Sequence, residues 1–215
     1  MRSAVDNDVL IKLARYQLLS HLAFTKVAGE EPPLVLGAAR FVARKRIERH
    51  APPDVKDAAL ADLTAFLDGV ALDEPSGAEL SLALRLEDAA QATGLQLDAG
   101  ESQLVAMQVL RGLDRLLTGD KRALGALEDL FGGHQELRAL AGSAVCFEQV
   151  LALLIEHAGF DECRRRVCTD PTADRAASIC LGFAGADRDE STARAALQSY
   201  IQHLRGRCPR ILSPL

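Results

Sequence analysis

The chain has 215 residues, a formal net charge of -5 and 48% hydrophobic residues. A chain of this length can bury a full core, as one domain with an appendage or as two small lobes. No apolar run approaches the roughly 18 residues that a membrane span requires, and the first predicted strand begins too close to Met1 for a signal peptide. We therefore expect no membrane attachment and, by default, a cytoplasmic location. The acidic balance argues against non-specific coating of nucleic acid but permits a local basic patch.

Aromatic residues make up only 4% of the chain and there is no Trp, so Leu, Val and Ala must fill the core. Aliphatic packing of this kind suits helices on a parallel sheet. The five cysteines are an odd number without a CxxC pair, which favours reduced, structural thiols over a zinc site.

Short apolar runs alternate with helical segments of ten or more residues, a pattern typical of parallel α/β folds. The predicted strands are 3–5, 34–36, 70–72, 115–118 and 142–147. The predicted helices are 9–19, 38–50, 54–67, 77–92, 100–112, 121–131 and 148–158. Asn7 or Asp8 is expected to cap the first helix.

The pattern changes after residue 158, where no further β-rich run occurs. Two capped helices are predicted there, one beginning at Asp170-Pro171 with Pro at its first position and one beginning at 189–192. We predict an α/β domain over 1–158 and an α-helical C-terminal extension over 159–215.

Three acidic residues, Asp6, Glu101 and Asp120, each follow an apolar run at a predicted passage from strand to helix. In an open parallel sheet these passages share one edge, which is where ligands bind. Converging carboxylates there would form an oxygen-rich site suited to Mg²⁺ or Mn²⁺. Each acid also has a purely structural explanation, because Asp6 and Asp120 are placed to cap helices and Asp98-Ala-Gly-Glu101 has the spacing of a capping box.

The contexts of these acids resemble those of PIN-domain nucleases. Ala4-Val-Asp-Asn-Asp-Val-Leu-Ile-Lys-Leu13 resembles the family's first strand and helix. Leu97-Asp-Ala-Gly-Glu-Ser-Gln-Leu-Val-Ala106 resembles the Gly-Glu helix start of one branch, and Leu116-Leu-Thr-Gly-Asp-Lys-Arg-Ala123 resembles the strand-to-Asp motif that follows it. The resemblance covers about 1–150 and implies a PIN-like three-layer fold with a central parallel sheet flanked by helices.

The resemblance implies metal-dependent hydrolysis of phosphodiester bonds, usually in single-stranded RNA. Asp6, Glu101 and Asp120 would hold Mg²⁺ or Mn²⁺ and act as the catalytic carboxylates, with Asp8 as an outer ligand. The cation would polarise the phosphate, deprotonate a water and stabilise the leaving oxygen. The family also leaves open a toxin role with a cognate inhibitor protein on a separate chain, and a homodimer.

One element departs from the family pattern. PIN domains usually carry a further acid on the helix after the second strand, and that segment, 37–48, has none before Glu48. Metal affinity could be weakened, Asp8 could substitute, or the domain could have lost cleavage and serve as a nucleic-acid- or protein-binding module.

The same helix is basic. Arg40 and Arg44 are i, i+4 neighbours, accompanied by Lys45, Arg46 and Arg49, and could contact RNA phosphates. A solvated helix face is the alternative. Lys121 and Arg122 stand beside Asp120 and are also predicted to contact nucleic acid.

A second enzyme class remains open because Asp6-Asn-Asp8-Val-Leu-Ile resembles the first motif of haloacid-dehalogenase-type phosphatases, whose first Asp is a nucleophile. That family expects a further Asp four or five residues after a Gly-Asp, where this chain has Leu124 and Gly125.

Overall fold

A computed structural model describes residues 1–22, 25, 29, 31–183 and 189–215. Five strands form one all-parallel sheet in the order β3-β2-β1-β4-β5. The strands are β1 (Ser3–Val5), β2 (Leu34–Leu36), β3 (Ala71–Asp73), β4 (Arg115–Thr118) and β5 (Ala144–Cys146). The predicted α/β class with a central parallel sheet is confirmed.

Eleven α-helices occur within the described residues, and none of them is both long and apolar enough to cross a membrane. They are α1 (Asn7–Arg15), α2 (Leu19–Leu22), α3 (Ala39–His50), α4 (Pro53–Leu67), α5 (Gly77–Ala92), α6 (Ala99–Arg111), α7 (Lys121–Leu130), α8 (Phe147–Ala158), α9 (Phe160–Thr169), α10 (Arg175–Cys180) and α11 (Glu190–Arg207).

Helices cover both faces of the sheet. Successive strand residues point to opposite faces, so Val5 and Leu117 join one buried cluster while Ala4 and Leu116 join the other. The first cluster includes residues of α1, α3, α4 and α8, and the second includes residues of α5, α6, α7 and α11. This arrangement brings the N-termini of α1, α6 and α7 to the carboxyl end of the sheet.

The C-terminal residues share the core of the α/β part. Asp170 is fully buried and accepts two hydrogen bonds from the Arg15 guanidinium on α1, at 2.7 and 2.9 Å. Leu212 forms a parallel bridge with Ala144 of β5. The division into domains at residue 158 stays a prediction, but the two parts pack around common clusters.

Two local predictions about helix bounds were wrong. The first helix ends at Arg15 instead of continuing to 19, because Gln17 takes a left-handed backbone conformation, with φ of 53°, that breaks the hydrogen-bond ladder. Of the three candidate caps of this helix, Asp6, Asn7 and Asp8, the structure uses Asp6. No helix begins at Pro171, because the Asp170 side chain pairs with Arg15 and the next helix is capped by Asp174.

Candidate active site

Asp6 lies at the end of β1, on the middle strand of the sheet. Its Oδ1 accepts a hydrogen bond from the Asn7 backbone N–H at 2.7 Å, which caps α1. Its Oδ2 accepts one from the Thr118 hydroxyl of the adjacent strand β4 at 3.3 Å. Burial, together with the negative charges of Asp8 and Asp98, raises the pKa of Asp6 to about 6. The ionised carboxylate is therefore costly here and would favour a nearby positive charge.

Glu101 lies in the first turn of α6. It forms a capping box with Asp98: the Asp98 N–H donates to Glu101 Oε2, and the Glu101 N–H donates to Asp98 Oδ1, each at 2.8 Å. The expectation that a strand precedes Glu101 was wrong, because α6 follows α5 through a loop. Burial and the charges of Asp98, Asp120 and Asp6 raise the pKa of Glu101 to about 8.

Asp120 caps α7, just beyond β4. Its carboxylate accepts hydrogen bonds from the backbone N–H groups of Arg122 and Ala123, at 2.7 and 3.2 Å. The exposed Arg122 guanidinium also pairs with it at 2.9 Å. Burial opposes ionisation, but the hydrogen bonds from Arg122 and Ala123 outweigh it and lower the pKa of Asp120. Asp120 is thus ionised and already paired.

Thr118 links the two strand ends. Its hydroxyl donates to Asp6 and accepts a hydrogen bond from the Asp120 backbone N–H at 3.2 Å. Asp6, Glu101 and Thr118 also line the same small apolar crevice. The structure therefore brings the three predicted carboxylates to one edge of the sheet, where the charges of Asp6 and Asp120 act on Glu101.

The three site carboxylates accept hydrogen bonds from backbone N–H groups at the starts of their helices, and they form no hydrogen bonds with one another. Among the described residues, no group of three or more His, Cys, Asp or Glu side chains is arranged to hold a metal ion. The oxygen donor set suits Mg²⁺ or Mn²⁺, but binding would require Glu101 or Asp120 to turn out of its cap. The metal site therefore stays a prediction.

Asp8 belongs to a separate ion-pair network. Lys12, one turn further along α1, contacts Asp8 at 2.5 Å and Asp174 at 2.8 Å, and its ammonium lies 4.9 Å from the centroid of the Phe147 ring. A β-carbon at Gly119 would overlap the Asp8 carboxylate, which would then have to shift. The Asp8–Lys12 spacing is visible in the sequence as an i, i+4 pair, whereas the contribution of Asp174 comes from the C-terminal segment and has no local signal.

Lys121 is held by an acid that sequence reasoning missed. Its ammonium pairs with Glu148 Oε1 at 2.5 Å and lies 5.2 Å from the centroid of the Tyr200 ring. Glu148 is only 1% exposed, and its Oε2 has no hydrogen-bond partner among the described residues. Glu148 follows β5 almost directly, so the signal that identified Asp6 and Asp120, an acid just after an apolar run, was also present here.

Lys121 and Arg122 border an open groove at this edge. Asp8, Lys12, Asp120 and Arg175 also line it, and its volume is about 350 Å³. Lys121 and Arg122, two of the four predicted nucleic-acid contacts, therefore face the same depression as Asp120. Arg40 and Arg44 do not line this groove and lie on the exposed side of α3, where Arg44 pairs with Glu48 at 2.9 Å.

The chain was also compared with known proteins. No family model matches it, and no curated protein matches it significantly.

Proposed function

We propose that this protein is a PIN-like, Mg²⁺- or Mn²⁺-dependent endoribonuclease acting on single-stranded RNA. The observation that carries the proposal is the meeting of Asp6, Glu101 and Asp120 at one sheet edge. Three helix starts supply them, and burial together with the charges of Asp98, Asp120 and Asp6 raises the pKa of Glu101 to about 8. Like charges at such range destabilise one another unless a cation neutralises them.

Asp6 would be the central ligand, because burial fixes its position between β1 and β4. Glu101 and Asp120 would complete the set of metal ligands after breaking their present contacts with Asp98 and Arg122. A bound divalent cation would supply polarisation of a phosphate and a nucleophilic water. Lys121, fixed by Glu148 and Tyr200, and Arg122, freed from Asp120, would contact substrate phosphates in the adjoining groove.

The test is cleavage of a single-stranded RNA by purified protein with Mg²⁺, with Mn²⁺ and with EDTA. We expect metal-dependent cleavage that Asp120→Asn and Asp6→Asn abolish. Asp189→Asn is the matched control, because Asp189 also caps a helix but lies on the exposed start of α11. Full activity in either site variant would remove that residue from the mechanism, and metal-independent cleavage would overturn the proposal.

A binding module without cleavage is the second candidate. It is favoured by α3, whose one acid, Glu48, is exposed and paired with Arg44. RNA binding that survives Asp120→Asn, with no cleavage by the parent protein, would support this candidate. Hydrolysis of a phosphomonoester in place of RNA would instead support the phosphatase resemblance of Asp6-Asn-Asp8.

A further inference from the structure

An apolar cleft lies between α3 and α4, away from the carboxylates. Leu60, Leu63 and Leu67 of α4 form its wall, Phe41 of α3 stands at its rim, and its volume is about 270 Å³. The Phe41 side chain is 71% exposed, the largest exposed fraction among the large hydrophobic residues described. An aromatic ring this exposed contributes little to the core.

The α3 side of the cleft is basic, with Arg40 and Arg44 in its lining, whereas Asp68 lines the α4 side. Only Ala39, Ala43 and Ile47 of α3 are buried, so the helix turns the rest of its surface to solvent. That surface carries five basic residues and one acid, in a chain whose net charge is -5. The basic residues are Arg40, Arg44, Lys45, Arg46 and Arg49. A ligand of this face would therefore be negatively charged.

The position of α3 connects this face with the candidate active site. Strand β2 pairs with β1, and α3 begins three residues after β2 ends. Arg40, in the first turn of α3, therefore starts from the same sheet edge as Asp6. The cleft and the candidate active site are therefore reached from neighbouring strands of one sheet.

We propose that the α3–α4 cleft is a base-binding subsite for single-stranded RNA, in which one unpaired base stacks on Phe41 while Arg40 and Arg44 contact the flanking phosphates. The inference rests on the proposed function and adds where one base of the single-stranded substrate would be held. Stacking on an aromatic ring beside cationic side chains is the usual way to hold single strands without sequence preference. A duplex could not use the cleft, because its bases are already stacked and paired.

The experiment measures binding of a short single-stranded RNA containing 2-aminopurine, in EDTA so that no cleavage occurs. Because the chain has no Trp, the emission of the modified base can be excited selectively. We expect the parent protein to quench this emission, and Phe41→Ala to remove the quenching and weaken binding about 5- to 150-fold. The dependence of affinity on salt should stay unchanged in Phe41→Ala, since no phosphate contact is lost.

Three further variants sharpen the test. Phe41→Tyr should retain binding and quenching, whereas Phe41→Leu should lose the quenching because Leu offers no flat ring. Leu84→Ala is the matched control, because Leu84 is 60% exposed on α5, which packs on the other face of the sheet. Leu84→Ala should behave as the parent. Equal melting temperatures would show that each variant folds.

The outcomes separate this inference from the proposed function. RNA binding with the same affinity and quenching in Phe41→Ala as in Leu84→Ala would overturn the base subsite and leave the nuclease proposal standing. Metal-dependent cleavage could fail while Phe41-dependent quenching persists, which would support the subsite and refute the nuclease. Equal binding of duplex RNA, or capture of an acidic amphipathic peptide that Phe41→Leu tolerates, would also overturn the base subsite.

Discussion

Replacing Asp6 with Asn should stabilise the metal-free protein at alkaline pH. The pKa of Asp6 is about 6 in the folded chain against an ordinary value of 3.8. Because the folded value is the higher one, the stabilising contribution of the carboxyl is complete below pH 3.8 and is lost as the pH rises through 6. At pH 8 the ionised Asp6 lowers the free energy of unfolding by about 3 kcal/mol relative to the protonated carboxyl, and Asn avoids this loss.

Asn keeps most of the local contacts. It caps helices about as well as Asp, so the hydrogen bond from the Asn7 N–H should persist. Its amide replaces Oδ2 beside the Thr118 hydroxyl, which can accept a hydrogen bond as well as donate one. We therefore expect a net gain of about 1–3 kcal/mol at pH 8, or about 2–4 °C in melting temperature for each kcal/mol.

The assay is urea unfolding followed by far-ultraviolet circular dichroism, in EDTA, at pH 5 and pH 8. The advantage of Asp6→Asn over the parent should grow by about 1–1.5 kcal/mol between the two pH values. Asp189→Asn changes an exposed cap whose pKa is lowered by the Thr192 N–H, so it should show no such gain. A pH-independent difference, or the same gain in the control, would refute the claim that burial and neighbouring charges disfavour ionised Asp6.

Three further predictions concern the rest of the molecule. Mg²⁺ or Mn²⁺ should stabilise the parent protein by about 2.7 kcal/mol at a hundredfold excess over Kd and so raise its melting temperature. A variant with all three site carboxylates neutralised should show no such rise. An equal rise in that variant would place the metal elsewhere. Asp170→Ala should cost about 3–5 kcal/mol in urea unfolding because it leaves Arg15 buried without its partner, and a cost below 1 kcal/mol would show that the pair does not anchor the C-terminal residues. The double variant Arg40→Ala and Arg44→Ala should reduce the slope of log K against log salt for RNA binding by roughly 0.7 per lost phosphate contact. Arg194→Ala, which breaks a similar exposed i, i+4 pair, should leave the slope unchanged. The same slope in the double variant as in the parent would make α3 a solvated face.

The sequence predicted the elements well where hydrophobic burial decides them. The runs at 34–36 and 115–118 are strands with the predicted bounds, and α3 and α7 agree within one residue with the predicted helices. Their apolar residues repeat with the period of the element, and caps such as Asp120 mark the helix starts. Gln17 escaped prediction because a left-handed residue other than Gly carries no reliable local signal.

The candidate site was only partly predictable, because convergence depends on tertiary structure. Asp6 and Asp120 come together because β1 and β4 are neighbours, although more than a hundred residues separate them. Alternation of strands and helices predicts a parallel sheet but not which strands pair. The contacts of Lys12 with Asp174 and of Lys121 with Glu148 likewise join segments far apart in the chain.

The structural and functional interpretations of the three acids are compatible, since the structure assigns each carboxylate to a helix cap. A helix cap uses only a few of the roughly four lone pairs of a carboxylate to accept hydrogen bonds from backbone N–H groups. The remaining lone pairs can contact another group. The chain can therefore fold with its acids hydrogen-bonded, while burial and the charges of neighbouring acids keep the pKa values of Asp6 and Glu101 raised. The fold places the starts of α1, α6 and α7 at this edge, and their caps with them, whereas the exposed cap Asp189 stabilises α11 without a raised pKa. The fold and the helix caps account for the gathering of Asp6, Glu101 and Asp120 at one edge, and the proposed cation would offset the cost of burying their charges there.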